Sequence, residues 1–305
     1  MLSYVVKRLG EAILVCIGIS VITFLLLHVA GDPVQLLLSI EAKAEDAAIL
    51  RTSLGLDQPL YVQYGIFLKG LLHLDFGKSL FIRESALGLV LERFPATLQL
   101  TLAGMAIALV IAIPLGVVAA IRRYSLLDNC CTALAVSGQA MPIFWLGLML
   151  IIFFSVKLHL LPASGRGTFL QLLMPAFTLG ASLAPITMRM TRSKMLDVLS
   201  RDYIRTARAK GLSEQLVLFR HGLRNASIPI VTILGLQFGR LLGGAIVTEA
   251  VFAWPGLGSL ALSAIRNFDY PLAQACILMM AFLIVIVNLA IDLVVGALDP
   301  RIRFD

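Results

Sequence analysis

Residues Asp202–Pro229 read DYIRTARAKGLSEQLVLFRHGLRNASIP. Arg205, Arg208, Lys210, Arg220 and Arg224 fall within this stretch and Arg201 just before it, in a chain that is otherwise mostly apolar. Gly211 sits where a left-handed C′ residue ends a helix without strain. A helix through Ser193–Lys210 would bring Lys194, Arg201, Arg205 and Arg208 to one face, at spacings of seven, four and three. Ser213 is placed to cap a second helix, with Glu214 near its positive end, and Leu212, Leu216 and Phe219 would share one face of it. The expected unit is helix, glycine turn, helix, ending at Pro229 where the next apolar run begins. Attraction to anionic lipid explains the charge. It leaves Ile204, Ala207, Leu212, Leu216 and Phe219 unexplained, and a small helical knob of that kind fits a protein groove.

The rest of the chain says where this knob lies. Of 305 residues, 59% are apolar and 14% charged, with a mean hydropathy of +0.93. Soluble domains are about 45–50% apolar and about 25% charged. The composition is that of an integral membrane protein. The formal charge of +7 does not point to nucleic acid, because the basic residues sit between apolar runs and form no soluble face. Cys16, Cys130, Cys131 and Cys276 all fall in apolar runs and read as small packing residues, so neither a disulfide framework nor a metal cluster is expected.

Six segments are long enough to cross about 30 Å of hydrocarbon: Leu9–Ala30, Ala96–Ile121, Cys130–Val156, Leu172–Met188, Ile228–Val251 and Leu272–Ala297. The first is expected to be a retained anchor. Its apolar run exceeds that of a signal peptide, and no small-x-small site follows, since His28 stands two before Ala30. Pro114, Pro142, Pro175 and Pro185 read as packed kinks or hinges that neighbouring helices must cover. Short loops carry Lys7 and Arg8, Arg122 and Arg123, Arg301 and Arg303 on one side, together with nine Lys/Arg in Arg189–Arg224. The other side has Lys157, Arg166 and Arg266. The Lys/Arg bias therefore places both termini and the basic loop in the cytoplasm. Segment Gly31–Pro95, with six Lys/Arg and eight Asp/Glu, lies outside, and its YVQYGIFLKGLLHL (Tyr61–Leu74) and LGLDQPL (Leu54–Leu60) indicate short helices there. They form either a cap that contacts an outside partner or a lid over the span ends.

Within the membrane, Arg240 lies twelve residues beyond Ile228, about 18 Å along a helix and near the midplane. A cation there costs about 2.5–3.5 kcal/mol on insertion scales, so it is expected to face the bundle interior or a water-filled path. Gln237, Gly243 and Gly244 are its companions as path candidates, and an anionic group such as a peptide carboxylate is the matching cargo. An ion pair with a partner subunit is the competing role. Phe252–Gly258, containing Trp254, Pro255, Gly256, Leu257 and Gly258, is either an outer gate or an interfacial anchor.

Several motifs resemble one family. Tyr203–Gly211 (YIRTARAKG), His221–Pro229 (HGLRNASIP), Gly31–Pro33 (GDP), Leu54–Leu60, Asp75–Ser79 (DFGKS), Phe94–Leu100 (FPATLQL), Phe252–Gly258 (FAWPGLG), Asp269–Pro271 (DYP) and Leu298–Arg303 (LDPRIR) run in order along almost the whole chain. Together they resemble permease subunits of the dipeptide, oligopeptide and nickel branch of ATP-binding-cassette importers. The E-A-A-x-x-x-G signature of their coupling loop is altered here, with Arg205 and Thr206 in place of Glu and the first Ala.

The resemblance implies an all-α, six-span architecture of the type I importer permeases. It divides the chain into residues 1–30, an outside segment 31–95, a permease core 96–297 with coupling loop 189–227, and a tail 298–305. It implies that Tyr203, Arg205, Thr206, Ala207, Arg208, Gly211, Leu212, Leu216 and Phe219 dock on an ATPase subunit. The implied partners are a second permease, two ATPases, an outside binding protein and the bilayer. ATP and Mg act on the ATPases and no cofactor is held by this chain. Small peptides are the favoured cargo, with nickel or a metal chelate as the alternative.

No site for ATP hydrolysis is expected within the chain itself. Gly70–Ser79 (GLLHLDFGKS) ends like a phosphate-binding loop, but six residues separate Gly70 from Gly77 where four are needed. A self-contained secondary transporter or channel is the reading from another class. It would call for an acidic relay within the spans and would leave the basic knob without a purpose.

Overall fold

A computed structural model describes residues 2–38 and 44–298. The expected tail beyond Leu298, with Arg301 and Arg303, lies outside the described residues, as do the side chains of Lys7 and Arg8. The helices are α1 (Leu2–Ala30), α2 (Pro33–Leu37), α3 (Ala44–Leu54), α4 (Leu60–Leu72), α5 (Ala86–Ile121), α6 (Leu126–Ala140) and α7 (Ile143–Leu150). They continue as π1 (Ile151–Lys157), α8 (Phe169–Leu199), α9 (Asp202–Ala209), α10 (Glu214–Leu216), π2 (Val217–Leu223), α11 (Arg224–Val251), α12 (Leu257–Arg266) and α13 (Tyr270–Leu298). Among the described residues, one isolated bridge between Lys78 and Ser85 is the only extended pairing.

Four stretches are single helices long and apolar enough to cross a bilayer: Ala86–Ile121, Phe169–Leu199, Glu214–Val251 and Tyr270–Leu293. The expected crossing at Cys130–Val156 is not one helix. Leu126–Ala140 and Ile143–Lys157 meet at 101°. Pro142 explains the break: it has no N–H for the preceding turn, and it holds Met141 in extended backbone (φ −77°, ψ 127°). Pro175 and Pro185, by contrast, are carried inside α8.

The chain divides into two compact units, the first comprising Met1–Thr97 and Pro255–Val285, the second Leu98–Trp254 and Ile286–Asp305. In the first, Leu27, Leu89, Val90, Leu257, Leu272 and Cys276 share one core. The short motifs of the sequence close its turns. Asp32 caps α2, accepting from the Val34 N–H at 3.0 Å, with Pro33 in the first turn. Gly55 (φ +70°) turns the chain after α3. The DFGKS and DYP motifs meet: the buried Asp269 carboxylate accepts from the Ser79 hydroxyl, the Leu80 N–H (3.2 Å) and the Leu272 N–H (3.4 Å).

In the second unit, α5 carries Gly104, Ala108, Ala112, Gly116 and Ala120 at intervals of four, and all five are buried. This small-residue seam lets α8 approach to backbone contact. A Cβ on Gly180 would stand 2.6 Å from the Gly104 carbonyl oxygen, and one on Gly116 would stand 2.8 Å from that of Met188. The hydroxyls of Thr178, Thr187 and Thr191 are buried in α8, where each donates to the carbonyl four residues earlier. At one end of α8, Arg192 donates from Nε and Nη2 to the two oxygens of Asp128, both at 2.7 Å. Asp128 is buried at the start of α6 and accepts also from the Tyr124 N–H at 3.0 Å. Arg189 donates to Gln139 at 2.8 Å and fastens the same pair of helices.

Gly180→Ala is expected to prevent assembly or lower the Tm of the detergent-purified protein by several degrees. Overpacking of this kind costs about 1–3 kcal/mol. Gly138→Ala, whose new Cβ would meet Pro185 Cγ at 3.6 Å and the Ala181 carbonyl oxygen at 3.8 Å, both ordinary contacts, is the tolerated control. Asp128→Ala is expected to cost about 1–3 kcal/mol, because it strands a partly buried guanidinium and the Tyr124 N–H. Thermal unfolding that does not distinguish Asp128→Ala from the parent would show the pair to be incidental.

Candidate functional site

The basic stretch folds as a small, self-supporting knob. Leu199 ends α8, Ser200 and Arg201 turn the chain, and α9 begins at Asp202 with an acidic residue in its first turn. The single helix expected over Ser193–Lys210 is therefore two helices. Ser200 sends its hydroxyl back to the Asp197 carbonyl at 2.8 Å, and Arg201 takes extended backbone (φ −75°, ψ 150°) as the N-cap of α9. Lys194 and Arg201 consequently leave the face that Arg205 and Arg208 occupy.

Gly211 does what its position required. Its φ is +78°, its N–H donates to the Arg208 carbonyl at 2.9 Å, and the Leu212 N–H donates to that of Ala207 at 3.4 Å. This pair of bonds is a Schellman motif. Ser213 occupies the N-cap of α10 without a side-chain capping bond. Glu214 instead turns back to Arg208, accepting from its Nη2 at 2.6 Å and its Nε at 3.1 Å. The second helix does not end at Pro229 either: α10, π2 and α11 follow one another from Glu214 to Val251, and Pro229 lies inside α11.

Ile204, Ala207 and Val217 form the buried centre of the knob, with Val198 and Leu199 packed against them. Ala207 is thus internal. Tyr203, Arg205, Thr206, Arg208, Leu212, Leu216 and Phe219 remain exposed, Phe219 to 61%. Val217, the residue that completes the core, was not singled out in the sequence. Its signal is its spacing of ten from Ala207 across the Gly211 turn, which no helical period captures.

The path candidates on α11 divide between two faces. Leu236 (74% exposed), Arg240, Gly243 and Val247 make one exposed stripe at intervals of four, three and four. Gln237, Leu241, Ala245 and Thr248 make the buried face. Gly244 is seated close to Ile143 and Leu179, and Gly235 close to Ile291. Gln237 is only 4% exposed, and its amide nitrogen has no hydrogen-bond partner among the described residues. Glu249, fully buried near the end of α11, is the one acidic residue of this helix and was not singled out in the sequence.

The segment after α11 turns tightly. Trp254 is buried, its N–H donates to the Glu249 carbonyl at 2.8 Å, and the Arg166 guanidinium lies 5.9 Å from its ring centroid. Pro255 follows, and Gly256 is the N-cap of α12. The Leu257 N–H donates to Thr97 Oγ1 at 2.7 Å, and both Leu257 and Gly258 are buried. These residues are packed, and none of their side chains hangs free.

Two family descriptions divide the chain between them. Residues 1–101 match the N-terminal component, and residues 112–304 match "Binding-protein-dependent transport system inner membrane component". The glutathione transport system permease protein GsiC of Escherichia coli strain K12 is 44% identical over 305 residues, covering 100% of both chains. The protein of the same name from Salmonella choleraesuis is also 44% identical over the full length. Among solved structures, the inward-facing MetNI methionine ABC transporter shares the fold with a TM-score of 0.59 at 21% identity, over 69% of this chain and 96% of that one. The chain belongs to the family of inner-membrane components of binding-protein-dependent transport systems, as a permease subunit of an importer of the ATP-binding-cassette class.

Proposed function

We propose that the chain forms half of a translocation path for small peptides and that residues 189–227 are its mechanical joint to an ATPase subunit. The observation that carries this is the knob itself. A Schellman turn and a three-residue core hold Tyr203, Leu212, Leu216 and Phe219 on the outside, where a monomer gains nothing from them. A cleft on the ATPase supplies the missing burial. ATP and Mg act on that subunit, and this chain carries no catalytic step.

In this reading six spans cross the membrane: α1, α5, the bent pair α6–α7 with π1, α8, α11 and α13. Both termini and the knob face the cytoplasm, and residues 31–95 lie on the side of the binding protein, as the Lys/Arg distribution supports. The division into residues 1–30, 31–95, 96–297 and 298–305 follows from the same assignment. Phe252–Gly258 sits at the outer mouth as a rigid turn and not as a mobile flap.

Glutathione, the substrate in the name of the full-length relatives, is a small peptide with two free carboxylates. Arg240 on the exposed stripe of α11 suits a cargo of that charge. A metal chelate with carboxylate arms is the second reading, because the same cation would serve it.

Leu216→Asp combined with Phe219→Asp is expected to abolish ATP-dependent uptake in proteoliposomes, while the chain still inserts and pairs with its second permease. Ala207→Arg is a poorer probe, since it strikes the core of the knob. Normal uptake by the double variant would remove the docking assignment. Arg240→Gln is expected to slow uptake of an acidic peptide by about tenfold, the loss of one charge-assisted contact, and to spare an uncharged peptide. Equal slowing of both would place Arg240 in assembly.

A further inference from the structure

The segment between α1 and α5 includes a helix whose polar and apolar faces are reversed relative to a water-facing one. On α4 the polar side chains turn toward protein. The Tyr64 hydroxyl is 2.8 Å from Ser20 Oγ of α1. Gln63 Oε1 is 3.0 Å from His28 Nε2 of the same helix, and Gln63 Nε2 donates to the Gln58 carbonyl at 2.7 Å. The opposite side bears Tyr61, Ile66 and Leu72, the last 84% exposed, with Lys69 as the one charged residue. No residue of α4 is fully buried.

The contacts also fix a depth. Ser20 lies ten residues before the end of α1 at Ala30, about 15 Å along the helix axis. Phe24, six residues before that end and about 9 Å along, has its ring 5.3 Å from that of Tyr64 in an edge-on contact. α4 therefore lies against the apolar flank of α1 and not beyond its end. That flank continues outward through Leu25, Leu26 and Val29, all exposed.

We infer that α4 is embedded in the hydrocarbon of one bilayer leaflet beside α1, with Tyr61, Ile66 and Leu72 against acyl chains. The inference rests on α1 being a span, as proposed above. A helix satisfies its own backbone in lipid. The end of α4 is closed as well, since the His73 and Asp75 N–H groups both donate to the Gly70 carbonyl at 2.9 Å. Tyr64 and Gln63, the groups that hydrocarbon would penalise, are those already paired with α1. Lys69 stands in the last turn, and its four-carbon stem is long enough to carry the ammonium to the headgroups. The segment following α1 is thus not wholly a water-facing cap, because part of it returns into the membrane.

The test is nitroxide collision accessibility in the assembled importer in liposomes, with Cys16→Ala and Cys130→Ala to clear the background. Spin labels go on Ile66→Cys, on Leu26→Cys of α1 and on Ile49→Cys of α3. Position 66 is expected to collide with oxygen as position 26 does, and with a water-soluble nickel chelate about fivefold less than position 49. Chelate collisions at 66 equal to those at 49 would overturn the inference, and so would protection from both reagents, which would mean a protein cover. Chelate access at 26 as well would remove α1 as a span and this inference with it. Failure at 66 alone leaves the importer reading standing.

Discussion

Everything in the second unit depends on how closely two backbones approach at Gly104 and Gly180. Helices surrounded by lipid have no hydrophobic reason to associate, because acyl chains are as apolar as leucine. What holds them is dispersion at short range together with polar pairs. The seam of α5 supplies the first, with no Cβ at Gly104 or Gly116 to keep α8 away. The bidentate Asp128–Arg192 pair supplies the second, fixing α6 against the end of α8 from which the knob projects. A loosely packed α8 would move without consequence. One locked at both seam and ion pair carries any displacement of its end through the unit.

The knob is joined to that framework on both sides. Its core residues Ile204, Ala207 and Val217 rest on Val198 and Leu199 of α8, and its second half is the beginning of the helical run to Val251. Phe219 and Arg240 are 21 residues apart along that run, about 31 Å if it were ideal helix. The π2 turns near its start widen the helix locally, and such segments recur where helices serve function. Whatever holds Leu216 and Phe219 therefore holds the same helical run that carries Arg240. No flexible linker absorbs the motion between them.

The sequence made some of this legible and concealed the rest for identifiable reasons. Gly211 was readable because one residue's backbone freedom decides a turn. Four of the six expected spans were readable as single long apolar helices, because hydrophobic length needs no partner. The break at Ser200 was not, since Ser and Arg are ordinary helix residues and only the local hydroxyl bond and the extended Arg201 reveal it. Ser213 had the chemistry of a cap yet makes no side-chain capping bond, and Glu214 pairs with Arg208 across the Gly211 turn, neither of which spacing alone gives. Asp128 and Arg192 are 64 residues apart, so their pairing is a property of the fold. For the same reason, the sequence left residues 31–95 as either a cap or a lid of short helices, without the contacts that Tyr64 and Gln63 of α4 make with α1. The order of residues shows that the helix is apolar, but not which face meets which neighbour.

The two faces of α11 bear on the missing subunit. An arginine left on a lipid-facing stripe near midplane costs about 2.5–3.5 kcal/mol, and Leu236 and Val247 on either side do nothing to hydrate it. That face is therefore reserved for something other than acyl chains. A second permease, the partner in systems of this kind, would supply a cover that is not acyl chain. Gln237, one residue beyond Leu236 and on the buried face, has an amide nitrogen without a hydrogen-bond partner among the described residues. A buried amide left unsatisfied costs about 1–3 kcal/mol. An acceptor supplied by water or by a neighbouring chain would recover that cost. Arg240 and Gln237, three residues apart and so about 60° from one another around the helix, therefore call for polar partners on adjoining faces of α11.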